Sequence, residues 1–371
     1  MTAAFSLYLD ALRALAAFVV VLSHLAYVRF TDGRYSAIEN LQLGRDAVIV
    51  FFVVSGYVIA FSAAQKDKTL ASFALARITR FASVVIPALL IGFALDVTGA
   101  RLYPEFYNSA FYQPITLSEQ LLRGLTFSNE WYWFPFRLGS NGPYWSLSYE
   151  AAFYIIFAIA AFTKGWKRTV YLICTCVLFG PNILLLLPCW LIGVWLYHRC
   201  LSGQIQTTLP PAALIYGPVF IYVLAQLVAL PDVLRVITAG AISVDGFVAL
   251  RFSGDFLWHN VLAMLCTLHL LGVYLHSQTK PLQLDLLKRP IRFLASASFS
   301  TYVLHYPVMQ FLRPSMQADL SVFAQDLLLL GTTLMICLVF AAIFERSIDK
   351  QRLIFRTLFG QRKDRIQPPS S

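Results

Sequence analysis

Leu7-Tyr-Leu-Asp10-Ala-Leu-Arg13-Ala-Leu-Ala-Ala-Phe-Val-Val-Val-Leu-Ser-His24-Leu-Ala-Tyr-Val28 is an apolar run long enough to cross a bilayer, yet it carries an aspartate, an arginine and a histidine. As an α-helix it places His24 eleven residues after Arg13, within about 20° of it around the axis and roughly 16 Å along it. Asp10 lies on the same side. The two basic groups are too far apart to touch, but they can line one polar track. An ionisable group inside a span costs on the order of 3 kcal/mol, which marks a cavity or pathway by default. The alternative is local: Asp10 and Arg13 pair at one helix end while His24 snorkels toward the other interface.

Of the 371 residues, 58% are hydrophobic and only 13% charged, and the mean hydropathy is positive. That composition excludes a water-soluble domain and indicates a polytopic membrane protein. The net charge of +10 does not indicate nucleic acid, because the basic residues gather at the ends of apolar segments and after Phe344. Cytoplasmic loops and anionic lipid headgroups account for such a distribution. The six cysteines (Cys174, Cys176, Cys189, Cys200, Cys266, Cys337) fall mostly in apolar segments without ligand partners. They read as reduced core residues, and no metal is expected. No small-x-small cleavage site follows the first segment, so it reads as a retained span rather than a cleaved signal peptide.

Apolar windows predict an all-α polytopic membrane protein of about ten transmembrane helices in one bundle, near 8–28, 44–63, 81–99, 147–163, 169–182, 184–198, 209–229, 257–276, 293–312 and 321–344. Pro181 and Pro188 leave open whether 169–198 is one broken helix or two. Residues 233–255, with Arg235, Asp245, Arg251 and Asp255, read as a loop. Four basic clusters set the orientation: Lys66, Lys68, Arg77 and Arg80; Lys164, Lys167 and Arg168; Lys280, Lys288, Arg289 and Arg292; and Arg346, Lys350, Arg352 and Arg356. Placing all four in the cytoplasm puts both termini there and 100–145 outside, in a protein integral to the cytoplasmic membrane. Residues 1–346 then form one transmembrane domain and 347–371 a basic cytoplasmic tail. The outer segment is crowded with aromatics between Tyr103 and Phe136, which form either a headgroup-level belt or a platform for sugar rings.

In this topology the first helix runs outward, with His24 in the outer half and Arg13 nearer the cytoplasm. Asn141-Gly-Pro-Tyr-Trp145-Ser-Leu-Ser148-Tyr-Glu150 opens the fourth helix from outside and is expected to bring Trp145, Ser148 and Glu150 into the layer of His24. His305, in Ser300-Thr-Tyr302-Val-Leu-His305-Tyr-Pro307, falls there too. A histidine with a carboxylate beside it serves as a general base near neutral pH; taken singly, each of these groups satisfies an interhelical hydrogen bond. On the cytoplasmic side, Arg77-Ile-Thr-Arg80 sets two guanidiniums one turn apart, suited to a phosphorylated ligand or to the ordinary positive flank. Phe52-Val-Val-Ser55-Gly56 places a small pair in mid-membrane, for close helix contact or as room for a thin ligand arm.

Together these motifs resemble the acyltransferase-3 family of integral membrane acyltransferases, which O-acylate extracytoplasmic sugars. The resemblance reaches from residue 9 to about 346. It rests on Leu9-Asp10-Ala-Leu-Arg13 with His24, Phe51-Phe52-Val-Val-Ser55-Gly56-Tyr57, Arg77 and Arg80 before Pro87, Trp145-Ser-Leu-Ser-Tyr-Glu150-Ala-Ala-Phe-Tyr154, and Ser300-Thr-Tyr302 with Leu304-His305-Tyr-Pro307, in the family's order. It implies a ten-helix bundle that takes acetyl-CoA, or another acyl-CoA, from the cytoplasm and acylates a hydroxyl at the outer face. Arg13 and His24 map to the family's Arg–His motif, Arg77 and Arg80 to its CoA-binding arginines, and Trp145 and Glu150 to its Trp–Glu motif. Ser55 and Gly56 are then expected beside the donor. The catalytic set expected on this basis is His24 as base, Arg13 at the donor or the developing oxyanion, and Glu150 orienting the imidazole. An acyl-histidine intermediate is the alternative route. Asp10, Trp145, Ser148, Tyr302 and His305 are expected around the acceptor, a saccharide or glycoconjugate. Longer members append a soluble hydrolase-like domain, and no stretch of these residues reads as one.

A transporter is the reading from a different class, since intramembrane charges also line solute pathways. It requires no thioester site and usually shows inverted repeats, of which the sequence carries no sign. Neither the acceptor nor the acyl chain length is written in the sequence.

Overall fold

The computed structural model describes residues 2–107, 111–203, 205, 207–279, 285–316 and 320–345. All regular secondary structure among them is helical. Ten long helices follow in chain order: α1 Ala3–Leu25, α2 Leu43–Gln65, α3 Leu70–Leu102, α4 Trp145–Phe162, α5 Gly165–Phe179, α6 Pro181–Ser202, α7 Pro211–Leu227, α8 Phe256–Thr279, α9 Lys288–Leu312 and α10 Val322–Phe340. Each overlaps one of the ten apolar windows. The expected basic tail, together with Lys280 and the cluster from Arg346 onward, lies outside the described residues.

Ten helices are not ten lipid-compatible spans. Among the described residues seven are long and apolar enough to cross a membrane, or eight if Pro211–Leu227 and Leu230–Ala241, bent by 66°, make one span. Two fall short for different reasons. Helix α5 has only 15 residues, and α9 is long but too polar. Every residue of α9 from Ala297 to Gln310 is buried, because it is packed against α1, α3 and α10. Its Ser298, Ser300, Thr301, His305 and Gln310 therefore face protein rather than lipid; Ser298 is met by Arg13, Ser300 by Glu345 and His305 by His24, whereas the buried Gln310 amide has no described hydrogen-bond partner.

Local signals place the breaks. Thr2 caps α1, its hydroxyl accepting from the Phe5 amide at 3.1 Å, and a reciprocal Thr69–Ser72 capping box starts α3. Gly180, at φ 83°, separates α5 from α6, and a β-carbon there would sit 2.2 Å from the Tyr132 side chain. Pro181 then opens α6, while Pro188 is carried inside it. The segment 169–198 thus belongs to two helices. The loop expected over 233–255 is instead mostly helical, in Leu230–Ala241 and Val244–Leu250. Pro231 supplies a first-turn proline and the Ser243 hydroxyl caps the second piece by accepting from Gly246 at 3.1 Å.

Helix α1 packs on α2 as well as α9, α2 packs on α6, and α8 packs on α6 and α7. The closest approach is that of α2 to α6. A β-carbon on Gly56 would lie 2.1 Å from the Trp190 carbonyl oxygen, and one on Gly193 would lie 2.0 Å from that of Val53. Glycine on both helices lets the two backbones touch. The outer faces carry exposed Tyr216, Phe220, Leu227 and Val236, which suit contact with lipid in a multi-pass membrane protein. All six cysteines are free; four are buried, Cys176 is half-buried and Cys174 is exposed on that apolar exterior.

Candidate active site

Two cavities lie along α1. The larger, of about 660 Å³, is walled by His24 and Tyr27 at the end of α1, Arg45 and Val48 of α2, the connection that carries Asn129, Glu130, Arg137 and Asn141, Trp145, Arg251, and Tyr302 and Tyr306 of α9. The smaller, of about 80 Å³, is walled by Arg13, Ser55, Arg80, Glu150, Tyr154 and Ser298. Val48 and Tyr302 line both. The Tyr302 ring is therefore a shared partition, held in place because its hydroxyl donates to the Pro143 carbonyl at 2.8 Å and accepts from Ser146 at 2.6 Å. The larger cavity has the size of an ordinary small-molecule site, whereas the smaller has room for only a few waters.

His24 faces the larger cavity and its partner is His305, Nδ1 to Nε2 at 2.9 Å. The protons on this pair follow from what surrounds it. His305 Nδ1 lies 2.8 Å from the Tyr302 carbonyl and 2.9 Å from that of Thr301. Carbonyl oxygens only accept, so this nitrogen carries the hydrogen and the lone pair of neutral His305 is on Nε2. His24 must then donate from Nδ1, which leaves the lone pair of His24 on Nε2. Tyr27 and Tyr306 clamp the His24 ring edge-on, with centroids at 5.1 and 5.3 Å. A histidine whose tautomer and ring plane are both set is equipped to accept a proton.

Glu150 is not in this group. Its carboxylate accepts from the Ser55 hydroxyl at 2.7 Å and from the Tyr154 hydroxyl, and the Trp190 indole donates to Ser55 at 3.3 Å. The expected Glu150–His24 contact is thus replaced by His305 on one side and by a Ser55–Tyr154 network on the other. Arg13 reaches Ser298 at 3.3 Å and shares the smaller cavity with Arg80 and Glu150.

The remaining expected residues divide. Arg80 lies over the Phe299 ring and opens on the smaller cavity. Arg77, one turn earlier, is stacked on Phe73 and paired with Asp67 at 3.1 Å. Ser55 reaches the smaller cavity, but Gly56 is turned into the α6 contact and has no space for a ligand arm. Trp145 lines the larger cavity, stacked on Phe252 at 4.6 Å. Ser148 is buried against Asn129 and the Phe127 carbonyl, and Asp10, Ser148 and His305 line neither cavity. Of the aromatics between 103 and 136, Phe111 and Phe136 reach the larger cavity, while Trp133 and Phe134 are exposed.

Several cavity residues carry no sequence motif. Arg29, Arg45, Arg137 and Arg251 all line the larger cavity, yet they come from separate short connections and helix starts. Arg45 is paired with Asp255 at 2.7 Å, and Arg251 Nε lies 3.1 Å from Glu130 Oε2. Burial pushes the Glu130 carboxyl up to about 8, with the Arg251 guanidinium opposing that shift. Arg29 is laid over the rings of Phe111 at 4.7 Å and Phe106 at 5.1 Å and donates to the Tyr306 hydroxyl at 3.4 Å.

Comparison with known proteins returns a family model described as an acyltransferase domain, matching residues 6–343. Neither the curated proteins nor the solved structures gave a match.

Proposed function

Because the chain belongs to the acyltransferase-3 family, we propose that it moves an acyl group, in the first instance acetyl from acetyl-CoA, to a hydroxyl of an extracytoplasmic saccharide or glycoconjugate. The observation that carries this reading is the shared Tyr302 partition between a cavity holding His24 and one holding Arg13 and Arg80. A reaction between a cytoplasmic donor and an outer acceptor requires two chambers that abut at the chemistry. In this reading the ten helices all cross the cytoplasmic membrane, both termini are cytoplasmic, and the larger cavity faces outward.

Each group then has one task. Arg80, with Arg77 beside it, faces the donor phosphates, and Arg13 stands where negative charge develops on the thioester oxygen. His24 Nε2 takes the proton of the acceptor hydroxyl as that oxygen attacks the thioester carbonyl. The carbon–sulfur bond breaks, the ester forms, and the proton passes from His24 to the departing CoA thiolate. Glu150, with Ser55 and Tyr154, is assigned to the donor side. The smaller cavity is too narrow for an acyl-pantetheine arm in this conformation, so the Tyr302 wall has to swing aside for donor and acceptor to meet.

The test is transfer of radiolabelled acetyl from acetyl-CoA to envelope saccharide by purified protein. His24→Ala should lower transfer by at least about 100-fold with acetyl-CoA binding intact. Full transfer by this variant, or a folded wild type that does not bind acetyl-CoA, overturns the proposal.

A further inference from the structure

One turn of α9 gathers charged side chains from three other helices. Arg13 of α1 donates to the Ser298 hydroxyl at 3.3 Å, and the Arg80 guanidinium of α3 lies 5.9 Å from the centre of the Phe299 ring. Ser300, the next residue, donates both its amide hydrogen, at 3.1 Å, and its hydroxyl hydrogen, at 2.6 Å, to one carboxylate oxygen of Glu345. Both guanidiniums act electrostatically on that carboxylate. The transfer steps above do not use Glu345.

A change of helix type brings it there. The turn that follows α10, Ala341–Glu345, is π-helical and packs on α9 and α3. Turns of this kind shift the phase of a helix and occur frequently at functional sites. Glu345 is buried, and a buried carboxylate is tolerated where hydrogen bonds and opposite charges meet it. It lines neither cavity, so it reaches the smaller one through the two arginines. Asp10 and Glu150 bear on Arg13 as well, whereas Glu345 is tied to the very turn on which both arginines rest.

A donor site built on arginines has a release problem. Acetyl-CoA and the departing CoA carry the same phosphates, so contacts to those phosphates hold product as firmly as substrate and add nothing to the chemical step. Resting on the acyltransferase reading above, we propose that Glu345 is the resident counter-ion of the donor site. Its carboxylate shares Arg80 and Arg13 with the donor phosphates, lowers the affinity for acetyl-CoA and CoA alike, and takes the guanidiniums back as CoA leaves. Glu345 acts through the arginines and is a positioning residue.

The experiment is titration calorimetry of the detergent-purified full chain with CoA, beside transfer kinetics with acetyl-CoA and with S-acetylpantetheine, which has no phosphates. Glu345→Gln removes the charge while its amide carbonyl still accepts from Ser300. It should bind CoA about threefold or more tighter than wild type, and CoA should inhibit transfer more strongly by the same factor. For S-acetylpantetheine kcat/KM should stay within about twofold of wild type, a selectivity that a merely structural role would not produce. Glu345→Asp keeps a charge at this buried position but draws it back by one methylene group, and should tighten CoA binding by about twofold. Unchanged or weaker CoA binding in the folded variants, or an equal change with both donors, overturns the proposal. A folded wild type that binds no CoA removes the acyltransferase reading and this role with it, whereas CoA binding that neither variant alters removes the role of Glu345 alone.

Discussion

His24 Nδ1 lies 2.9 Å from His305 Nε2, and His305 in turn commits its own Nδ1–H to backbone carbonyls one turn back on α9. The chain of donors has one direction, from His24 through His305 to the backbone, and it leaves the lone pair of His24 on Nε2. His305 is thereby a positioning residue for His24.

His305→Phe removes the acceptor for the His24 proton and lets the imidazole exchange tautomers. The expected result is a fall in kcat of about 10- to 100-fold with KM for acetyl-CoA unchanged. His305→Gln, whose carbonyl can accept the same proton, should recover part of the rate. A wild-type kcat in the phenylalanine variant would remove the positioning role.

Tyr302→Ala should join the two cavities. Water then reaches the donor, and CoA released per ester formed should rise severalfold when acetyl-CoA is supplied with limiting acceptor. Tyr302→Phe keeps the ring, loses only the bonds to Pro143 and Ser146, and should stay close to the wild-type ratio. Identical ratios in all three proteins would show that the ring is not a partition during turnover.

Gly56→Ala drives a methyl group to 2.1 Å from the Trp190 carbonyl oxygen, a backbone atom that cannot rotate away. Overpacking of this kind costs about 1–3 kcal/mol or more. Lower apparent Tm and a smaller monodisperse fraction on gel filtration are expected. Gly331→Ala on α10, where nothing lies within 4 Å of the new carbon, serves as the control and should behave as wild type.

Glu130 gives a pH dependence of definite sign. Its carboxyl is raised from the ordinary 4.5 to about 8, so the folded state holds the proton more firmly than the unfolded chain does. The stability it contributes is complete below its unfolded value and is lost as pH rises through the folded one. Between pH 6 and 9 wild type should therefore lose apparent Tm relative to Glu130→Gln, by about 2 °C or more. Parallel profiles for the two proteins would rule this out.

The frame was legible because lipid leaves few options for backbone hydrogen bonds, so apolar windows locate helices well. The same criterion says little about α9, whose neighbours are other helices rather than lipid. The Arg13–His24 spacing predicts one polar track along α1, whereas in the structure the two residues open on different cavities. Placing Glu150 with His24 overlooked helical phase. Five residues past Trp145 turn Glu150 by roughly 140° and move it about 7.5 Å along α4, away from the cavity that Trp145 lines and toward Ser55. Arg29, Arg137 and Arg251 were beyond reach for another reason. They sit in short turns and connections, where no period relates one residue to the next.

The burial of α9 on every side also bears on how the chain is made. A segment with a histidine, a glutamine and a run of serines and threonines across its centre is a poor substrate for release from a translocon into lipid when it emerges by itself. Its neighbours α1 and α3 are synthesised long before it, whereas α10 follows it. Reporter fusions ending after α9, compared with fusions that include α10, would read whether α9 enters the bilayer alone or together with α10. The helix that carries His305 and Tyr302 would then be the last part of the site to be delivered, after every residue of the two cavities on α1 to α4 is already in place.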